Sequence, residues 1–193
     1  MRYQLIAAAI LLVFYGCYFT KMILQKRRGI QTDQIGRGKD GRAKHIELWM
    51  KAAACAVPVI ELCSIILNTA PLPLPARILG IPAALAGDAI FVASALTMRD
   101  SWRAGVSESD DTELVTGGIY SISRNPAFLG FDLVYLGILL LFFNWVLLAV
   151  SVLAMVMFHL QIVYVEEAFL GKAFGSEYAA YRQRVNRCLG RKR

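Results

Sequence analysis

Two polar motifs separated by forty almost wholly apolar residues, Pro126 to Val165, constrain this chain more than any other feature. A membrane crossing takes about 20 helical residues, so this stretch is long enough to cross a bilayer twice. The second crossing reverses the first, so the chain leaves the membrane at the face where it entered. We therefore expect the motifs on either side of the stretch to lie together and to form one candidate site.

The composition of the chain favours a membrane protein. Hydrophobic residues make up 57% of the 193 residues and charged residues 18%, whereas soluble domains carry about 25% charged residues. Five segments are apolar enough to span a bilayer: Leu5–Leu24, Ile46–Ile66, Ile78–Met98, Ala127–Phe143 and Trp145–Val165. We predict an all-α, polytopic membrane protein of about five transmembrane helices with a cytoplasmic C-terminal helix. A soluble helical bundle is disfavoured because the last two segments are apolar on every side.

The chain is predicted to form a single membrane domain over residues 1–193. Residues 1–98 hold three spans with their connecting loops. Residues 99–193 hold a loop, the helical hairpin 126–165 and the C-terminal helix, which is predicted to bend near Gly175. The segment Ser107–Thr112 is acidic and short, and we predict that it is part of this loop.

Lysine and arginine residues are concentrated in the loop after the first span and in the C-terminal tail. Five spans place both regions on one side, which the positive-inside rule makes cytoplasmic. We therefore interpret the net charge of +7 as a topology signal that also contacts anionic lipid headgroups, not as a nucleic-acid-binding surface. A bacterial inner membrane and an endoplasmic reticulum both fit these features.

Glu166 and Glu167 are the most informative charged residues because they follow an apolar span directly. Solvated acids on an exposed helix turn are the ordinary interpretation. On the positive-inside face, however, lysine or arginine would be the usual choice. Two carboxylates in a basic neighbourhood suit the binding of a cationic ligand.

Two helical stripes on the last two spans are predicted to line a cleft that opens to lipid. The stripe on the fourth span recurs at intervals of three or four residues and consists of Asn125, Phe128, Asp132 and Tyr135. On the fifth span, His159 and Ile162 lie seven and four residues before Glu166. A hydrogen-bonded packing role is the alternative for His159. The candidate catalytic residues are Asn125, Asp132 and His159.

The remaining polar residues are given no function. Glu61 and Asp88 lie deep in the second and third spans with no basic residue beside them. We expect them to be protonated, paired or facing a wet cavity. The histidines are too few and the cysteines too widely spaced to indicate a metal site, so no metal is predicted.

The ordered motifs resemble those of the isoprenylcysteine carboxyl methyltransferase family and its phospholipid methyltransferase relatives. The family pattern is approximately L-V-x-x-G-x-Y, then R-H-P-x-Y-x-G, a membrane hairpin, and E-E-x-x-L-x-x-x-F-G-x-E-Y-x-x-Y. Here the motifs read LVTGGIY from Leu114, RNPAFLG from Arg124 and EEAFLGKAFGSEYAAY from Glu166. The order and the intervening hairpin match, and the resemblance ends near Leu189.

This resemblance implies a membrane enzyme that transfers a methyl group from S-adenosylmethionine, held in a cytoplasmic pocket, to a lipid-like acceptor. By position, it implies cofactor contacts for Leu114, Val115, Tyr120, Asn125, Pro126, Ala127, Phe128, Glu166 and Glu167. Carboxylates can stabilise the sulfonium and ammonium groups of the cofactor. Methyl transfer depends mainly on positioning and a dry, preorganised site, so neither a metal nor a nucleophilic triad is required.

Three departures from the family pattern leave the acceptor open. Asn125 replaces a histidine, Phe128 replaces a tyrosine, and Ile162, beside Gln161, stands where an arginine is proposed to bind the acceptor's carboxylate. A prenylated cysteine carboxylate, a phospholipid amine and another hydrophobic molecule are all compatible. A sterol-reductase-like enzyme that uses NADPH and a non-catalytic membrane scaffold are the alternatives of other classes.

Overall fold

The chain is described here by a computed structural model that covers residues 1–36, 39–105 and 113–191. Its α-helices are α1 (Arg2–Arg27), α2 (Gly41–Ile66), α3 (Leu74–Met98), α4 (Pro126–Leu141), α5 (Trp145–Gln161) and α6 (Glu167–Arg184). A π-helical turn, Ile162–Glu166, joins α5 to α6. Within the described ranges, β structure is limited to isolated bridges between Asp33 and Ala104 and between Val185 and Arg191. The acidic segment Ser107–Thr112 lies outside these ranges.

The helices confirm the prediction of an all-α, polytopic membrane protein. Helices α1, α2 and α3 and the continuous helix formed by α5, the π-helical turn and α6 are each long and apolar enough to cross a membrane. Helix α4 is apolar but has only 16 residues. It ends before the predicted limit at Phe143, because Phe142 leaves the helical conformation and the Asn144 side chain accepts a hydrogen bond from the Leu147 N–H at 2.8 Å to begin α5.

Helices α3 and α4 pack against each other through glycine residues. A Cβ atom on Gly137 would lie 2.6 Å from the carbonyl oxygen of Gly80, and one on Gly87 would lie 2.7 Å from that of Gly130. These pairs show that the two helices run antiparallel with their backbones in close contact. Small residues permit this approach, which supplies van der Waals packing where lipid offers little hydrophobic driving force between helices.

Contacts between distant loops show that successive helices alternate in direction. At one end of the bundle, Thr69 Oγ1 donates to the carbonyl oxygen of Phe142 at 3.0 Å. At the opposite end, Gln25 Nε2 donates to the carbonyl oxygen of Trp102 at 2.9 Å. Helices α4 and α5 therefore leave this second end and return to it, as the hairpin interpretation predicts.

The helix after the hairpin bends where the sequence indicates. Gly175 has φ 45° and ψ −117° inside α6, a left-handed conformation that glycine adopts without a Cβ clash. Beyond the bend, Tyr178, Tyr181 and Val185 are buried in a small apolar cluster. The bend thus turns the second half of α6 back towards the bundle.

The two deep acids have different surroundings. Glu61 is fully buried, and one of its oxygens accepts a hydrogen bond from the Tyr15 hydroxyl at 3.5 Å, so it is paired. Asp88 is also buried, and its Oδ1 has no hydrogen-bond partner among the described residues.

Candidate active site

The two predicted motifs meet in a partly buried group of four residues, which we call the arginine cluster: Arg124, Glu167, Tyr178 and Arg187. Arg124 Nη1 lies 3.0 Å from Glu167 Oε1 and donates to the Tyr178 hydroxyl at 2.8 Å. Arg187 donates through Nε and Nη2 to the two Glu167 oxygens at 2.8 and 2.9 Å. Side chains from before α4 and from both ends of α6 are thereby joined in one place.

Glu167 is held in its ionised form by the arginine cluster. Burial raises the pKa of Glu167, but the hydrogen bonds from Arg187 and the positive charges of Arg124 and Arg187 outweigh burial and lower the pKa below its usual value. The hydrogen bond with Glu167 in turn raises the pKa of Arg187. The Glu167 carboxylate is therefore already occupied by two guanidinium groups.

Glu166 contrasts with its neighbour. It is the last residue of the π-helical turn, beyond the end of α5, and is partly buried. No described residue forms a hydrogen bond or ion pair with its carboxylate. Burial, followed by the nearby charge of Glu47, raises the pKa of Glu166 to about 7. An unpaired, partly buried carboxylate of this kind is stabilised by an added cation.

Glu47, which the sequence analysis missed, lies beside Glu166. It is fully buried near the start of α2 and accepts hydrogen bonds from Lys39 Nζ, from the backbone N–H of Gly36 and, at 3.1 Å, from Gln161 Nε2. The sequence could have pointed to Glu47, because it lies inside the predicted second span. An acid in a span is costly unless it is paired. Glu47 fixes the loop before α2 against the end of α5, next to the turn that carries Glu166.

The first motif forms a turn that faces α6. Gly118 has φ +55°, and the Tyr120 N–H donates to the carbonyl oxygen of Gly117 at 3.0 Å. Tyr181 closes the turn, because its hydroxyl donates to the carbonyl oxygen of Tyr120 at 2.6 Å. Leu114 packs on the apolar cluster that contains Tyr181.

Tyr120 of the first motif lies close enough to Glu166 of the second motif for the two side chains to interact electrostatically. Its side chain is buried, and burial together with the charge of Glu166 raises the pKa of the Tyr120 phenol. The first motif and the unpaired acid of the second motif therefore lie near each other.

Asn125 connects the start of α4 to the C-terminal tail. Its Nδ2 donates to the carbonyl oxygen of Arg187 at 3.1 Å, and the preceding Arg124 N–H donates to that of Asn186 at 3.1 Å. Pro126 follows as the first residue of α4, where a missing N–H costs nothing. Asn125 and Pro126 are both buried, whereas Ala127 is partly buried against the main core.

The predicted stripe on α4 faces α5. The rings of Phe128 and Tyr135 lie 5.3 and 6.1 Å from the ring of Phe158. Asp132 lies between them along the helix, and its buried Oδ1 has no hydrogen-bond partner among the described residues.

The two residues of the predicted stripe on α5 differ in burial. Ile162 is buried as expected, but His159 is exposed. The buried stripe of α5 consists of Leu147, Ser151, Ala154, Phe158 and Gln161. His159 follows Phe158 directly, and one residue corresponds to about 100° of rotation. His159 therefore lies off the buried side of α5, and its catalytic role stays a prediction.

An open cleft of 880 Å³ borders the first motif. One wall is formed by Thr97, Arg99 and Arg103 at and after the end of α3, and the other by Val115 and Gly118. A smaller cleft of 430 Å³ lies along α6 beside Glu167. Across the described part of the chain, no group of three or more His, Cys, Asp or Glu residues is arranged to hold a metal ion.

The helical bundle, with a polar cluster at one of its ends, defines a polytopic membrane protein. Sequence comparison adds the family. The profile of the phospholipid methyltransferase family matches residues 76–177, which are 102 of the 193 residues. The chain therefore belongs to the phospholipid methyltransferase family.

Individual relatives are similar over a shorter region. The protein-S-isoprenylcysteine O-methyltransferase of Schizosaccharomyces pombe is 39% identical over 75 residues, covering 39% of this chain and 32% of the relative. The enzymes of that name from Tribolium castaneum and Saccharomyces cerevisiae are 33% and 35% identical over 78 residues, covering 40% of this chain and 28% and 33% of the relatives. The matched region thus spans about a third of the length of these relatives.

Proposed function

We propose that this chain is an S-adenosylmethionine-dependent membrane methyltransferase that acts on a lipid-like acceptor, similar to the isoprenylcysteine O-methyltransferases. One observation carries the proposal. Glu166 keeps an unpaired carboxylate in the place where the arginine cluster brings the two motifs together. Because the chain belongs to a methyltransferase family, we infer that this carboxylate binds the cationic methyl donor.

The residues at this site fit the proposed cofactor. S-adenosylmethionine carries a sulfonium and an ammonium group, and its bound form supplies an electrophilic methyl group. Glu166 is suited to the cationic methionine part. The first motif and the start of α4 offer backbone groups and aromatic side chains for the remainder, through Leu114, Val115, Tyr120, Asn125, Pro126, Ala127 and Phe128.

Glu167 has a supporting role in this proposal. Because two arginines already occupy its carboxylate, it holds the motifs together and does not take the cofactor's charge. The chain's part in the reaction is to bind, orient and exclude water, which is where methyl transfer gains most of its acceleration.

The names of the relatives favour an isoprenylcysteine carboxylate as acceptor. Because the family is named for phospholipid methyltransferases, a phospholipid amine is the second candidate acceptor. We further propose that the site faces the cytoplasm, because the basic loop before α2 and the basic tail lie at the same end as the two motifs.

Calorimetry of the detergent-purified protein tests the cofactor. We expect binding of S-adenosylmethionine and S-adenosylhomocysteine, and an at least tenfold loss of S-adenosylmethionine affinity in Glu166→Gln, since one charge-assisted contact contributes about 1.5–3 kcal/mol. Glu177→Gln, an exposed acid on α6, is the matched control. Tight binding of NADPH alone would indicate a reductase, and binding of none of the three ligands would indicate a scaffold.

The bond that is formed distinguishes the acceptors. The purified protein is incubated with a membrane lipid extract and a cofactor that carries a labelled methyl group. A methyl ester releases the label as methanol in mild base, whereas an N-methyl group retains it. Base-labile product supports the carboxylate acceptor, and base-stable product supports the amine.

A further inference from the structure

We infer that Arg99 is a specificity-determining residue, and that the cleft beside it binds the anionic headgroup of the acceptor. This inference rests on the proposed function. It concerns the arginine that the sequence pattern lacks, because Ile162 stands at that position and is buried. An anionic acceptor would therefore need a cation from elsewhere in the fold.

Arg99 supplies such a cation. It caps the C-terminal end of α3 and lines the 880 Å³ cleft. Within the described part of the chain, its guanidinium group forms no hydrogen bond or ion pair. A guanidinium group binds carboxylate and phosphate oxygens in a bidentate manner.

The other charged groups that line the cleft are Asp100, Arg103 and Glu113, and none of them competes with Arg99 for an anion. Asp100 accepts two hydrogen bonds from Arg28 at 2.7 and 2.9 Å. Arg103 Nη1 donates to the backbone carbonyl oxygens of Asp100 and Trp102. Glu113, on the opposite wall, is exposed. Neutralisation of Asp100 by Arg28 leaves Arg99 as a positive charge in the cleft.

The backbone of Arg99 is also unusual. Its φ is 47° and its ψ −123°, a conformation that residues with a Cβ rarely adopt. Such outliers persist where the surrounding structure imposes them, and they are concentrated at ligand sites. At Arg99, this conformation ends α3 and turns the chain along the wall of the cleft.

The position of the cleft suits an amphiphile. Leu96, which lines the cleft one turn before Arg99, exposes 69% of its surface at the end of a membrane-spanning helix. The opposite wall carries Val115 and Gly118 of the motif that is predicted to bind the cofactor. A headgroup held by Arg99 would lie next to that motif, and methyl transfer requires donor and acceptor to be adjacent. The volume is also within the range of about 300–1,000 Å³ that is typical of small-molecule sites.

The test compares an anionic probe with a neutral one in detergent. N-acetyl-S-farnesylcysteine carries a carboxylate, its primary amide is the neutral match, and phosphatidic acid supplies a phosphate. We expect the wild-type protein to bind at least one anion at least tenfold more tightly than the amide. Whichever of the two anions is preferred identifies the carboxylate or the phosphate as the ligand chemistry.

Three variants assign the preference to Arg99. Arg99→Gln should lose at least tenfold in affinity for the preferred anion, and Arg99→Lys should recover part of that loss. Arg27→Gln, which removes an exposed charge near the same end, should leave the affinity unchanged. Arg99→Gly should keep or raise the melting temperature, because glycine adopts a positive φ without strain. It should still lose affinity for the anion.

S-adenosylhomocysteine separates failure of this inference from failure of the proposed function. Its affinity should be the same in the wild type and in Arg99→Gln. A loss of S-adenosylhomocysteine binding in Arg99→Gln would assign the cleft to the cofactor and overturn the inference. Equal affinity for the anions and the amide in the wild-type protein would also overturn it. If the wild type binds no S-adenosylhomocysteine, the proposed function itself is wrong.

Discussion

Removing the charge of Glu167 tests whether this acid holds the site together. Glu167→Gln leaves the Arg124 side chain, of which only 5% is exposed, without its carboxylate partner. Breaking a buried pair by removing one partner costs about 3–5 kcal/mol. The Arg187 side chain is 30% exposed, so its share is screened by solvent and we expect a loss near the lower limit, about 3 kcal/mol.

Thermal unfolding in detergent measures this loss. A chain of this size shifts its melting temperature by about 2–4 °C per kcal/mol, so a decrease of about 6–12 °C is expected for Glu167→Gln. Glu177→Gln, which removes an exposed acid from the same helix, should have the same melting temperature as the wild-type protein. The double variant Arg124→Gln/Glu167→Gln should be more stable than Glu167→Gln alone, because it no longer buries an unpaired charge.

The pH dependence gives an independent check. The folded-state pKa of Glu167 is lowered below the unfolded value of 4.5, so its stabilisation is present above that pH and is lost as the pH falls through the folded pKa. The difference in melting temperature between the wild type and Glu167→Gln should therefore shrink below about pH 4.5. A difference of less than about 2 °C at pH 7, or one that persists unchanged at low pH, would refute the role assigned to this carboxylate.

Two further predictions concern the neighbouring acid and the helix interface. Because the pKa of Glu166 is raised to about 7, its ionised fraction should increase about fivefold between pH 6 and pH 7. The ratio of S-adenosylmethionine affinities between the wild type and Glu166→Gln, measured by calorimetry, should rise accordingly; a constant ratio would contradict the electrostatic role. Gly137→Ala should destabilise the protein by about 1–3 kcal/mol, because its new methyl group would meet the backbone of α3. Gly171→Ala on α6, whose added Cβ would meet nothing within 4 Å, should cause no loss in the same melting assay.

Local sequence patterns were sufficient to predict the spans, the hairpin and the bend at Gly175. These features depend on apolar length and on the conformational freedom of glycine, which act on neighbouring residues. The pairing of two motifs at one end also followed, because two crossings return a chain to its starting face.

The partners of the site residues could not be predicted in the same way. Arg187 reaches Glu167 across 20 positions because the tail folds back after α6, which ends where Val185 adopts an extended conformation. Glu47 reaches Gln161 across 114 positions. Such contacts depend on how the helices pack, and helical periodicity carries no information about them. The buried side of α5 could not be predicted for a related reason, since apolar residues surround this helix.

The brevity of α4 has a consequence for how a lipid would be handled. Sixteen residues rise about 24 Å, whereas the hydrocarbon layer is about 30 Å thick. Where the shortfall lies at the N-terminal end of α4, the Asn125–Pro126 turn is several ångströms below the headgroup level. A lipid tail can then stay immersed while its reactive end is engaged there. Extracting that tail into water would cost about 0.8 kcal/mol for every methylene group, and a short fourth helix at that end lowers the number of groups to be extracted.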